Sequence, residues 1–315
     1  MKCISTEEYY LNSNNWIWRG FRVSWHVKGI ENKYPILLLH GFGACGAHWR
    51  NNINYFENKG YAVYSIDLIG FGMSAQPGTQ EISRLDNGVW CDQVIDFIKE
   101  IIRPNSSEKI ILIGNSLGSL VALTCAVNIP SEILGMIASP LPDRVMSKNS
   151  NQNGKSSFRY IKVLITKIIF ALIPINLILY LVKKAGLIEL GLKSAYYKKN
   201  KIDNQLIKMI KDPVRRKSSG KALRAMSLGM ALRNEKLKST YLLNILDKQN
   251  RIPFLLIWGD KDRFIPLFLG KMIANLYSWV ELKIITDSGH CVHDEDHIRF
   301  NKTSYDWIKN LRGIK

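Results

Sequence analysis

The stretch KIILIGNSLGSLVALTCAV, residues 109–127, decides the fold class. The apolar run Lys109–Gly114 predicts a buried strand, and the small and apolar residues from Leu117 to about Val127 predict a helix. Between them lies Gly114-Asn115-Ser116-Leu117-Gly118. A sharp strand-to-helix turn needs glycine on both sides, because larger residues would clash, and the turn lifts the serine hydroxyl clear of the sheet. The same pattern occurs as an ordinary turn, but this setting favours Ser116 as a nucleophile.

Outward from this turn, apolar runs alternate with helical patterns. Further strands are predicted at 35–40, 61–67, 133–139, 252–259 and 280–286. Helices are predicted near 90–102, 267–276 and 300–311. This alternation predicts a parallel α/β sheet flanked by helices.

A glycine-containing loop, His40-Gly41-Phe42-Gly43, follows the first clear strand. Acyl chemistry needs backbone amides at such a loop to receive a developing oxyanion. The predicted donors are the amides of Phe42 and Leu117. His40 is interpreted as a residue that orders the loop rather than as an acid or base.

The acid and the base are predicted from the last two strands. Asp262, in Gly259-Asp260-Lys261-Asp262, follows one strand, and His290, in Ser288-Gly289-His290, follows the next. We expect Asp262 to orient His290, which removes the Ser116 proton. Asp260 and Asp143 are the alternative acids, since each also follows a predicted strand.

The remaining histidines indicate no second centre. HDEDH, residues 293–297, contains metal-ligand residue types, but its spacing matches no known metal site, and we interpret it as a solvated helix start. His26 and His48 are interpreted as structural. We expect neither a metal nor another cofactor.

Positive charge is concentrated in one segment of the 315-residue chain. Residues 141–250 hold 23 of the 44 lysines and arginines but only 6 of the 26 acidic residues. They also contain a polar loop, Ser147–Ser157, and the apolar run Ile168–Val182, which is shorter than the roughly 20 residues of a membrane-spanning helix. We predict a core of residues 1–140 and 251–315 with a mostly helical insert at 141–250.

Together these motifs resemble the α/β-hydrolase family, in which the nucleophile, acid and base follow one another in this order. The likeness covers about 205 residues outside the insert. The phrases HGFGACGAHWRNNI and SIDLIGFGMSAQP are similar to the plastid and cyanobacterial branch that includes pheophytinase and chlorophyll dephytylase, and so to chlorophyll metabolism. Members with aspartate at the turn form alkyl-enzyme esters, whereas Ser116 implies acyl chemistry.

The resemblance makes the insert a cap that chooses the substrate. Its basic and aliphatic residues suit a lipophilic carboxylic ester, of the lipid or phytyl type, held at an anionic membrane surface. In the competing interpretation the apolar run packs on the core. Hydrolysis of C–C bonds, haloperoxidase-type perhydrolysis, lyase chemistry and non-catalytic ligand sensing remain alternatives, because they share this site.

Composition restricts compartment and partners. The N-terminus lacks a secretory pattern, and five scattered cysteines suggest no disulfide framework, so we expect a cytoplasmic protein, peripheral at a membrane. Nucleic-acid binding is not expected, because no nucleic-acid motif accompanies the insert's basic residues. Those considered are Lys198, Lys199, Lys201, Arg215, Arg216 and Lys217.

Overall fold

The computed structural model describes residues 3–143, 145, 186–249 and 251–313. Its described part contains one eight-stranded sheet of order β1-β2-β4-β3-β5-β6-β7-β8. The strands are β1 (Asn14–Trp18), β2 (Phe21–Lys28), β3 (Tyr34–Leu39), β4 (Tyr61–Ile66), β5 (Ile110–Asn115), β6 (Ile133–Ser139), β7 (Phe254–Gly259) and β8 (Val280–Ile285). From β4 to β8 all neighbours pair in parallel, which confirms the predicted sheet.

The sequence motifs gave no sign of the first two strands. β1 and β2 form a hairpin that pairs antiparallel with β4. Its two-residue loop, Arg19-Gly20, has φ angles of 47° and 81°, as a type I′ turn requires. The hairpin therefore extends the parallel sheet at the edge far from β8.

Helices cover both faces of the sheet. They are α1 (Thr6–Leu11), α2 (Ile53–Glu57), α3 (Asn87–Phe97), α4 (Leu117–Asn128), α5 (Leu187–Ala195), α6 (Asn204–Arg215), α7 (Ser219–Leu232), α8 (Ser239–Lys248), α9 (Leu267–Leu276), α10 (Val292–Glu295) and α11 (His297–Leu311). α3 continues as a π-helical turn, Ile98–Ile102. Alternate residues of β3 and β5 enter two separate cores, one under α3, α4, α8 and α9 and one under α1, α2 and α11. Burial on both faces explains why these strands are continuous apolar runs.

The described part of the insert is helical. α5, α6, α7 and α8 all lie within it. Residues of both α7 and α8 belong to the main core, and α8 packs against α4. The insert limits 141–250 stay a prediction, although α8 packs as part of the core. Within the described ranges no helix has the length and apolar character to cross a bilayer. Ile168–Val182 and Ser147–Ser157 lie outside the described residues.

Candidate active site

Ser116 occupies the strained turn between β5 and α4. Its φ of 50° and ψ of −112° lie outside the usual regions for a residue with a side chain. A Cβ on Gly114 would approach the carbonyl carbon of Gly118 to 2.4 Å, and one on Gly118 would approach the Leu39 oxygen to 2.1 Å. Only glycine fits at both positions, so the turn can bring Ser116 up against the end of β3.

Polar side chains fix this turn to its neighbours. The Ser119 hydroxyl donates to the Gly114 carbonyl oxygen at 2.8 Å and accepts from the Ser139 amide at 3.0 Å. The Asn115 amide group donates to the Ser139 carbonyl at 2.6 Å and to the His290 carbonyl at 3.3 Å. Asn115 therefore links the serine turn to β6 and to the loop of the predicted base. Ser119 and Ser139 carry no sequence signal that distinguishes them from other core serines.

His290 and Asp262 form a buried pair. His290 Nδ1 lies 2.9 Å from Asp262 Oδ2, and each residue is 7% exposed. The other carboxylate oxygen, Oδ1, accepts the amides of Phe264 at 2.8 Å and Ile265 at 2.9 Å. An ionised carboxylate accepts only, so the proton between the pair belongs to Nδ1. Nε2 is then the nitrogen that can accept a proton.

The rival aspartates are used elsewhere. Asp143 accepts hydrogen bonds from Arg233 and from the Ser239 amide and hydroxyl, the latter two at 3.1 and 3.2 Å, and so fixes the start of α8. Asp260 forms an ion pair with Lys261 at 3.2 Å. Of the three predicted acids, the described contacts join only Asp262 to His290.

The loop after β3 packs against the serine turn. His40 Nδ1 donates to the Gly41 carbonyl at 2.8 Å, and Nε2 accepts the Leu68 amide at 3.0 Å. Burial lowers the His40 pKa to about 4, so the ring is neutral and both of its nitrogens are in use. A Cβ on Gly41 would lie 2.6 Å from Asn115 Oδ1. His40 thus joins the loop after β3 to the chain that follows β4.

Phe42 lines the same cavity as Ser116, and Leu117 directly follows Ser116 in the chain. Phe42 lies in the loop that packs on the turn, and Gly43 follows with a φ of 75°. Leu117 is the first residue of α4, and the first amides of a helix have no carbonyl partner within it. These positions suit two backbone donors at one side of the serine.

Ser116 and His290 line the same cavity, of about 390 Å³. Helices α5 and α6 of the insert supply an apolar wall, and Phe264 places its ring 5.2 Å from that of His290. The described insert residues at this wall are Ile188, Gly191, Leu192, Ala195 and Ile210. Sequence reasoning missed them, although 188, 192 and 195 follow a helical spacing that could have indicated a buried face.

The interpretation of residues 293–297 as a solvated helix start is wrong for residues 293–295, although Asp296 does cap α11, which begins at His297. His293, Asp294 and Glu295 are at most 2% exposed. Asp294 accepts from Arg50 at 2.9 Å, from Asn51 at 2.8 Å and from the Tyr196 hydroxyl at 2.8 Å. Their partners come from residues about 100 and 240 positions away in sequence, which a local pattern cannot reveal. The described residues contain no group of three metal-binding side chains.

His48 and His26 are both buried. His48 Nε2 lies 2.8 Å from the Tyr196 hydroxyl and Nδ1 lies 3.3 Å from His293 Nε2. Burial lowers the His48 pKa to about 4. His48 also lines the cavity, so it joins the wall of the site to the network around Asp294. His26 stacks on Tyr9 at 4.8 Å, far along the sheet.

Several basic residues of the insert form hydrogen bonds and ion pairs with other parts of the described chain. Arg216 donates to the carbonyls of Gly72 at 2.9 Å and Ser74 at 2.8 Å. The Lys198 ammonium lies 2.5 Å from Asp296, and Lys199 donates to the carbonyls of Lys193 and Tyr196. Part of the basic character of the insert therefore serves its own fold.

Comparison with known proteins defines the family. A family model described as alpha/beta hydrolase fold matches residues 34–297, and the chain belongs to this family. Epoxide hydrolase 4 of Mus musculus is 32% identical over 146 residues, which cover 45% of this chain and 39% of that protein. 1-Acylglycerol-3-phosphate O-acyltransferase ABHD5 of Homo sapiens is 32% identical over 118 residues, 36% of this chain and 32% of that protein. The aligned regions thus span less than half the length of these curated relatives.

Solved structures agree on the fold. A putative lipase, lip1, of Acinetobacter baumannii AYE superposes with a TM-score of 0.74 at 17% identity, over 96% of this chain and 92% of that one. Identity at this level supports the architecture alone. The α/β-hydrolase fold predicted from the sequence is confirmed.

Proposed function

We propose that this protein is a serine hydrolase that cleaves the carboxylic ester of a lipophilic substrate. The observation that carries the proposal is the convergence of Ser116, in its strained turn, and the Asp262–His290 pair on one mostly apolar cavity. Relatives named as an epoxide hydrolase and as an acyltransferase share the family. Serine at the turn favours acyl transfer over the alkyl-enzyme chemistry that the sequence resemblance associates with aspartate.

In the proposed mechanism each of these groups has one role. His290 Nε2 takes the Ser116 proton as the hydroxyl oxygen attacks the ester carbonyl carbon, and then gives it to the departing alcohol. Asp262 keeps the other nitrogen protonated and stabilises the imidazolium. The amides of Phe42 and Leu117 receive the oxyanion, each contributing about 3 kcal/mol. Water then attacks the acyl-enzyme by the same route.

The cavity favours a lipophilic acyl chain. Its cap wall offers aliphatic side chains, and its polar groups are concentrated at Ser116 and His290. Phe264 lines the cavity with about half its surface exposed, and Phe268 on α9 is exposed to a similar extent. On α5, Leu187 and Leu190 are also exposed. With basic residues such as Lys193 on the same helix, these side chains suit contact with an anionic membrane surface. A phytyl-type ester remains a prediction from the sequence resemblance, and a cytoplasmic location remains a prediction from the composition of the chain.

The test is hydrolysis of p-nitrophenyl esters from C2 to C16, with wild type compared with Ser116→Ala and with anionic or neutral vesicles added. We expect activity that Ser116→Ala abolishes, that rises with chain length and that anionic vesicles increase. Wild type as inert as the variant on every ester would refute ester cleavage and favour ligand sensing. Activity unchanged by either vesicle would refute the membrane contact alone.

A further inference from the structure

The loop of the predicted base is joined directly to the C-terminal end of cap helix α5. The His290 amide donates to the Ala195 carbonyl at 2.7 Å. The Glu295 carboxylate accepts the Gly289 amide on Oε2 at 2.6 Å and the Lys198 amide on Oε1. We call these five residues, Ala195, Lys198, Gly289, His290 and Glu295, the clamp. It connects two segments almost 100 residues apart.

Close packing makes the clamp specific. A Cβ on Gly289 would lie 2.3 Å from the Ala195 oxygen and 2.8 Å from the Tyr197 nitrogen, so only glycine allows this approach. Glu295 is 1% exposed, and burial raises its pKa. Its two oxygens each serve one side of the clamp. A neutral amide could accept from one side only and would turn a donor toward the other.

The same helix lines the substrate cavity. Ile188, Gly191, Leu192 and Ala195 of α5 face it, so Ala195 both contacts the cavity and holds the His290 amide. An apolar chain bound along this wall would contact α5, and the clamp joins α5 to the backbone that presents His290.

We propose that Glu295 is a positioning residue that couples occupancy of the cap side of the cavity to the placement of His290. Binding energy from the remote acyl chain is thereby used to orient the general base, which raises kcat rather than affinity alone. The proposal rests on the proposed function only in taking ester cleavage as its kinetic readout.

The variants separate the clamp from its surroundings. Glu295→Gln keeps the shape and removes the double acceptor. Lys198→Pro removes one amide donor at a residue whose φ of −82° is close to that of proline, and it leaves the buried carboxylate intact. Asp296→Asn is the matched control, because the Asp296 side chain pairs with the Lys198 ammonium and makes no contact with the base loop in the described part of the structure. Asparagine serves equally well as the N-cap of α11.

The first readout needs no catalysis. In hydrogen exchange, Glu295→Gln and Lys198→Pro should lower protection of the amides of residues 289–290 and of 195–197 together, relative to wild type and Asp296→Asn. Loss confined to one side of the clamp in both variants would overturn the coupling. This result stands whether or not the protein hydrolyses esters.

The second readout is kcat and KM on p-nitrophenyl acetate and decanoate. We expect both clamp variants to lose about tenfold in kcat on decanoate, with a much smaller loss on acetate and little change in KM. Equal losses on the two esters would make Glu295 merely structural and overturn the proposal. Wild type inactive on both esters would refute the proposed function, and the exchange result would then judge the clamp by itself.

Discussion

Asp262→Asn tests how the site controls the protonation of its base. Asp262 Oδ1 accepts two backbone amides, and Oδ2 faces His290 Nδ1 at 2.9 Å. In the variant the carbonyl oxygen keeps the two amides, because the opposite orientation would place donors against donors. The new NH₂ group then faces Nδ1. His290 must present a lone pair there and carry its proton on Nε2, where it cannot accept from Ser116.

The expected loss in kcat is about 10⁴-fold, the size found when a triad aspartate becomes asparagine. That corresponds to about 5 kcal/mol in the barrier. About 2–3 kcal/mol comes from losing a hydrogen bond to a charged group. The rest is the cost of restoring the productive tautomer.

The assay is p-nitrophenyl butyrate hydrolysis, with thermal unfolding to check the fold. Asp260→Asn and Asp143→Asn are the controls, since neither side chain contacts His290 in the described structure. We expect Asp260→Asn to keep most of the activity. Asp143→Asn should lower stability through Arg233 and Ser239. If Asp262→Asn kept a tenth of wild-type activity, or if a control variant caused the large loss, the assigned acid would be wrong.

Three further predictions follow from packing and charge. Gly118→Ala places a Cβ 2.1 Å from the Leu39 oxygen, so the serine turn must open. We expect denaturant titration to show a loss of about 3 kcal/mol or more in unfolding free energy. An unfolding free energy equal to that of wild type would contradict the packing. Ile188→Trp fills part of the 390 Å³ cavity, so KM for the decanoate ester should rise about tenfold while KM for the acetate ester stays unchanged. Equal effects on the two esters would mean that the acyl chain binds elsewhere. Burial raises the pKa of Asp294, but the charges of His48 and Arg50 outweigh this effect, so the pKa falls from an ordinary 3.8 to about 2. Ionised Asp294 therefore contributes about 2 kcal/mol to the unfolding free energy above pH 4, and this contribution is lost as pH falls through 2. Unfolding titrations should show that Asp294→Asn removes this part of the acid dependence.

Local sequence predicted the parts of the site that depend on local geometry. The serine turn needs only a strand, two glycines and a helix, all within residues 109–127. Asp262 and His290 follow strands whose apolar runs are easy to recognise, and parallel strands end at one edge of the sheet. The N-terminal hairpin was not predicted, because its strands combine exposed and buried residues and draw their burial from the rest of the sheet.

Sequence by itself determined the fold class and the three residues expected to carry the chemistry, because strand, turn and helix signals act over a few neighbouring residues. The tertiary structure alone decided what surrounds them. In the tertiary structure Asp262 contacts His290, whereas Asp143 contacts Arg233. Residues 293–295 are buried, although their sequence resembles a solvated, charged helix start. The cost of burying Asp294 and Glu295 is offset by Arg50, Tyr196 and the amide of Lys198, partners distant in sequence that only folding brings together.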